Sequence, residues 1–260
     1  MARGGRDFIA CRWVSAAHGV AVAVFGIVLF WLAHDRFWLL AGAFSGFLVV
    51  APVLATGLYA LSRALERGEP ADMALLIRTW TQWGSRRRAD PGSYWCLVRF
   101  GLLLALAGTG WVLTSAAFIT VFAPVPIVRP EDFIRYVVIA PNHFVFEAWL
   151  AMGGLLAAPV FASSVIAMPL LLDRHVNALQ AVLASWRVVL ANPVPMALWA
   201  AMLMVFTFCG FVTALLAMVA IVPILGHASW HAYRDLLDVS DVPERSPAEP
   251  AESTAGEVQR

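Results

Sequence analysis

His227 and His231 are the residues whose types and spacing most invite chemistry. Four apart in a helical stretch, they put two imidazoles on one face, as helices do when they present nitrogen ligands to a metal ion or a haem iron. Such a centre needs further ligands, and His18 or His175 are the histidines at hand; which metal it would hold is left open. The same segment, VPILGHASWHAYRDLL, carries Pro223, Trp230 and Tyr233. Those neighbours support a second and preferred reading, in which the histidines join an aromatic belt at the lipid headgroups and no cofactor is expected.

Arginines form the next constellation. PVLATGLYALSR, ending at Arg63, and PILGHASWHAYR, ending at Arg234, share a proline, an aromatic residue seven places on and an arginine eleven places on. APVFASSVIAMPLLLDR, ending at Arg174, is a stretched relative. Brought together, Arg63, Arg174 and Arg234 would face an anion. The structural alternative has Asp173 capping the helix that follows and Arg174 snorkelling to the headgroups.

Glu147, with Asn142 and His143 ahead of it, is an acid beside apolar sequence. Intramembrane acids are functional suspects, yet a helix N-terminus stabilises a carboxylate without any function, and Asn142 reads as a cap. Cys11, Cys96 and Cys209 stand apart without a CxxC pair and read as buried small hydrophobes. Gly101, Gly108, Gly110, Gly153 and Gly154 predict close packing of the third and fourth long helices. There is no P-loop, GxSxG, HExxH or dinucleotide fingerprint, so an enzyme is not the expectation.

The elements that must position these residues are membrane helices. Of 260 residues, 61% are hydrophobic and 13% charged, against roughly half and a quarter in soluble domains. The apolar residues come in blocks of about 20, the length that crosses a bilayer. The expected fold is all-α and polytopic: six transmembrane helices in three hairpins, with amphipathic interfacial linker helices.

The first two apolar runs are Val14–Ala33 and Phe37–Leu61, the second kinked by Pro52. Asp72 caps a short helix with Met73, Leu76, Trp80 and Trp83 on one face, closed by Arg86–Arg88 and an Asp90-Pro91-Gly92 turn. Leu97–Phe122 and Phe144–Leu172 flank a loop whose Pro130 starts a helical turn. Val176, Leu179, Val182, Leu183, Trp186, Val189 and Leu190 then line one face of an in-plane helix. The spacing of Met73 and Trp80 recurs there as Leu179 and Trp186.

Asn192 and Pro193 open a run to Trp230 that is well over 50 Å long at about 1.5 Å per residue. That is either one bent helix or a hairpin turning near Cys209-Gly210. The internal repeat and the positive-inside rule favour the hairpin: six crossings leave 15 arginines on one side and 3 on the other, against 12 and 6 for five crossings. Residues 1–237 thus form one membrane domain with both termini cytoplasmic. Residues 238–260, rich in Pro, Glu, Ala and Ser, form a disordered tail.

GGRDF, APVLATGLYALSRALERGEP, MPLLLDR, ANPVPMALW and above all VPILGHASWHAYRDLL resemble the bacterial integral membrane proteins grouped as domain of unknown function 2189, from about Gly4 to Leu237. The resemblance implies a six-helix inner-membrane protein and brings no activity or site residue. The chain lacks lysine, which reads as genome composition and not as phosphate recognition. It has no basic soluble domain for nucleic acid. The partners implied are the lipid bilayer and a membrane-protein complex, with the oligomeric state open.

The leading reading is a non-enzymatic accessory or assembly component. It rests on 11 tryptophans, docking-competent amphipathic helices and the expectation of no buried charge relay. A small solute or lipid permease is the alternative, with few mid-membrane polar groups to serve it: Ser45, Thr56, Thr109, Ser115, Ser163, Ser164 and Thr207. A metal- or haem-binding membrane protein is the third.

Overall fold

A computed structural model describes residues 1–81, 93–141 and 144–245, without the side chains of 47–50, 81 and 93–98. Trp83, Arg86–Arg88, the 90–92 turn, Asn142 and His143 lie outside the described residues, as does the chain beyond Arg245. Helices follow in the order α1 (Ala2–Cys11), α2 (Trp13–Ala33), α3 (Phe37–Leu54), α4 (Thr56–Arg67), α5 (Met73–Thr81) and α6 (Ser93–Phe122). After a short turn, α7 (Pro130–Phe133), come α8 (Phe144–Ser164), α9 (Ala167–Asp173), α10 (Ala178–Ala191), α11 (Pro193–Val212) and α12 (Met218–Leu236).

Four stretches are long and apolar enough to cross a membrane: Trp13–Ala33, Arg99–Phe122, Phe144–Asp173 and Pro193–Val212. A fifth is broken, Phe37–Gly46 and Ala51–Arg67 meeting at 47° with Pro52 just inside the second piece. The expected sixth, α12, does not qualify. His227, His231, Arg234 and Asp235 dilute its apolar content, so the described residues carry four or five candidate crossings and not six.

The run from Pro193 to Trp230 is a hairpin. Its turn follows Val212, where Ala214 and Leu215 take left-handed backbone (φ 50° and 69°) that side chains resist. Met196 and Trp199 of α11 share a buried cluster with Ala228 of α12, so the two helices run antiparallel. Asn192 precedes Pro193, but its side chain donates to Val188 O and closes α10 instead of capping α11.

The hub of the bundle is α12, packed against α1, α2, α4, α9 and α11. Gly19 makes this approach feasible: a Cβ there would lie 2.2 Å from Val219 O. The glycines expected to join the third and fourth long helices do less. Gly153 meets Trp111 of α6, whereas Gly101 faces Val53 of α3, and Gly110 and Gly154 have open space beside them. Cys11 is buried as expected, while Cys209 is exposed on α11.

The two linker helices are present. Asp72 accepts the Leu75 N–H at 2.8 Å and caps α5, whose Leu76 and Trp80 cover Gly57 of α4. The cap of α10, however, is Asn177, in a reciprocal capping box with Gln180. Ala181, Ser185 and Val188 form its buried face, and Leu179, Leu183 and Leu190 point outward. Ser185 Oγ accepts the Ile166 N–H at the α8–α9 break (3.2 Å), one of the donors a helix start leaves without an internal partner.

The densest packing is at one end of the bundle, where Tyr59, Ile166, Met168, Leu171, Trp230 and Tyr233 share a core. The chain after α12 adds to it. Residues 239–245, the first part of the expected tail, fold back, with Val239 and Arg245 buried and Glu244 bridged to Arg174.

A buried polar relay and an arginine cluster

The dense end encloses charged and polar groups from five helices, α1, α2, α4, α9 and α12. His227 of α12 is fully buried. Its Nε2 lies 2.8 Å from Ser15 Oγ on α2 and its Nδ1 lies 2.7 Å from Ser62 Oγ on α4. Ser62 Oγ donates to Asp7 Oδ2 on α1 at 2.6 Å, so it must accept from His227 Nδ1–H; Nε2 is then the acceptor for the Ser15 hydroxyl. One turn on, His231 Nε2 donates to the same Asp7 Oδ2 at 2.8 Å, and His231 Nδ1 stands 3.5 Å from Glu66 Oε1. Glu66 pairs with Arg234 at 3.3 Å, and Arg3 of α1 pairs with Asp235 of α12.

These partners set the protonation of the groups on α1 and α12, outside the candidate spans. Burial drives His227 down to about 4, leaving it neutral. The hydrogen bond to Asp7 and the Glu66 carboxylate raise His231 to about 9, making it a cation between two carboxylates. Burial alone would raise the Asp7 carboxyl, and the hydrogen bonds from His231 and Ser62 outweigh it and hold it below its ordinary value.

Arg234 also leads to the second group of charges. Asp173, the last residue of α9, is buried. It accepts from Arg174 Nε at 2.9 Å and the Tyr233 hydroxyl at 2.8 Å, and it is ion-paired with Arg63 at 3.0 Å, Arg67 at 3.8 Å and Arg234 at 3.9 Å. Burying a carboxylate this far from water is costly unless such cations and donors surround it. The folded-back segment completes the cluster. Glu244 binds Arg67 at 2.6 Å and Arg174 at 3.1 Å, Arg174 Nη1 donates to Val242 O, and Arg63 donates to Arg245 O.

The expected sites change accordingly. His227 and His231 do share a face, but three of their nitrogens are hydrogen-bonded within the protein and the fourth faces Glu66, so the pair sits in a buried hydrogen-bond network. They are not belt residues either, for they are buried with Trp230 and Tyr233 inside protein. Arg63, Arg174 and Arg234 do converge, around Asp173 and not around an empty site. Asp173 caps nothing, and Arg174 is buried instead of snorkelling. The expectation of no buried charge relay is overturned. Glu147 is exposed in the first turn of α8.

Sequence reasoning missed Asp7, Ser15, Ser62, Glu66, Arg67, Glu244 and Arg245. GGRDF and ALSRALER held the signal for three of them: acids and hydroxyls at helical spacing beside apolar runs. Near the relay, His18 stands one turn beyond Ser15 on α2, with its buried Nε2 lacking a partner among the described residues. His18, Ala21, Val22, Phe25, Leu54 and Trp80 line a cleft of about 350 Å³.

Long apolar helices with outward aliphatic side chains around an interior polar cluster define a polytopic α-helical integral membrane protein. The chain belongs to the family described as predicted integral membrane protein (DUF2189), which matches residues 39–173. The match spans α3 to α9 with Arg63, Arg67 and Asp173; Asp7, His227, His231 and the GHASWHAYR segment fall outside it. No curated protein and no solved structure matches the chain.

Proposed function

We propose that the protein is a proton-linked membrane carrier that handles a mainly apolar molecule with one polar group, lodged in the cleft beside His18. The observation that supports this reading is the hydrogen-bond chain from Asp7 through Ser62 and His227 to Ser15 in the first span, next to His18 on the same helix. In its present polarity the chain moves a proton toward Asp7. Ser15 accepts a proton and passes its own to His227 Nε2, Nδ1–H goes to Ser62, and the Ser62 proton goes to Asp7, which becomes a neutral acid. Rotation of the two hydroxyls and a tautomer change at His227 reset the wire. The chain ends beside the cleft that His18 lines, which is what connects it to a bound molecule in this reading.

The polar end faces the cytoplasm in this proposal, because Arg3, Arg6, Arg12, Arg63, Arg67, Arg174, Arg234 and Arg245 gather there while Arg36, Arg129 and Arg135 lie at the other end. An active alkaline phosphatase fused to the C-terminus would reverse that assignment.

Proteoliposomes test the carrier reading with fluorescent phospholipids and amphipathic dyes. An imposed pH gradient is expected to speed transbilayer movement of at least one probe, and Asp7→Asn to abolish the effect while cooperative melting persists. Wild-type vesicles that match protein-free ones with every probe, on both sides of neutrality, would sink the reading. A stable co-purifying complex would then restore the accessory role.

A further inference from the structure

We propose that the arginine floor beneath residues 239–245 is a binding site for a phosphate group, and that the Glu244 carboxylate is its built-in stand-in. Arg67, the last residue of α4, and Arg174, just past α9, close on the two oxygens of Glu244 at 2.6 and 3.1 Å, a forked arrangement that suits phosphate as well as carboxylate. The acid is 54% exposed while the arginine side chains are 24% and 8% exposed, so a nearly buried cationic floor lies under a water-accessible lid.

The lid is thin. Its backbone bonds to the bundle are His175 N–H to Pro243 O and Arg245 N–H to Asp173 O, at 3.0 and 2.9 Å. The remaining acceptors it supplies serve guanidinium groups: Val242 O for Arg174 and Arg245 O for Arg63. Lifting it would leave these donors facing water beside the Asp173 carboxylate, and a phosphate offers the oxygens to replace those lost. Arg67 and Asp173 are also the last residues of two candidate spans, which puts the mouth at headgroup depth. The phosphate could come from a phospholipid or from solution, and the inference stands independently of the carrier reading.

The experiment uses the full-length chain in nanodiscs of phosphatidylcholine with and without phosphatidylglycerol, and separately with inorganic phosphate. Glu244→Gln is expected to strengthen phosphatidylglycerol retention about tenfold, as when a site closed most of the time is opened, and Arg67→Gln added to it to remove the gain. A gain with lipid alone assigns a lipid phosphate, and a gain with inorganic phosphate as well assigns phosphate in general. No gain with either, in a variant that melts cooperatively, overturns the proposal. Should Glu244→Gln fail to fold, the wild type decides. Phosphatidylglycerol is expected to speed hydrogen exchange at the His175 and Arg245 amides, and unchanged protection would overturn the site.

Discussion

Two helices joined by one turn behave in opposite ways. Along α11 the apolar side chains face outward, with Leu198, Met204, Val205 and Phe208 exposed, whereas along the second half of α12 His227, Trp230 and Tyr233 are shut away from all solvent. Lipid is as apolar as leucine, so nothing drives α11 to hide its surface. Polar groups have no partner in lipid, so α12 must turn them inward and satisfy them there. The polar groups of the molecule are therefore gathered and satisfied inside it, while α11 leaves its apolar side chains facing outward.

That contrast can be broken most directly at Asp173. Asp173→Ala strands Arg63 and Arg174 beside a buried cavity, and a loss of about 3–5 kcal/mol is expected in thermal or denaturant unfolding in mild detergent. Met204→Ala, on the outward face of α11, is expected to cost less than about 0.5 kcal/mol. Equal losses at the two sites would end the comparison.

Glycines sharpen it within the spans. Gly19→Leu must push Val219 away and should cost about 1–3 kcal/mol by overpacking. Gly110→Leu meets open space and should be neutral in the same melt. A neutral Gly19→Leu would mean that α2 and α12 are not in close contact.

The smallest effect is the pH profile. His231 is raised to about 9 from 6.5, so its contribution is complete below pH 6.5 and is lost as pH climbs toward 9. His227 is lowered to about 4, so its neutral form contributes above pH 6.5 and that contribution is lost as pH falls toward 4. Asp7, held below its usual value, adds a loss at still lower pH. The polar end should be most stable near pH 6.5, and hydrogen exchange there should quicken on both sides while α11 stays flat. His231→Gln should remove the alkaline limb alone.

Much of this was legible in the chain. Apolar blocks located the spans, Asp72 marked the start of α5, and the repeat ending in Arg63, Arg174 and Arg234 announced side chains that do meet. Other features were hidden because they depend on distant partners. Asp7 becomes a relay acid only when α1 lies beside Ser62 and His231, 55 and 224 residues away. The fold-back of 239–245 was unreadable because its composition is that of a solvated tail, and its partners are guanidinium groups on α4 and just past α9.

Sequence alone determined that the chain is helical and that it lives in a membrane, because hydrocarbon thickness and internally satisfied backbone leave one economical answer, but it counted α12 as a crossing that the structure does not support. Tertiary structure decided what the charges are for. An arginine's role depends on which carboxylate stands opposite, and a histidine's charge on whether its neighbours are hydroxyls or acids. Spacing along one helix cannot supply those neighbours, and the packing of α1, α4 and α9 around α12 does.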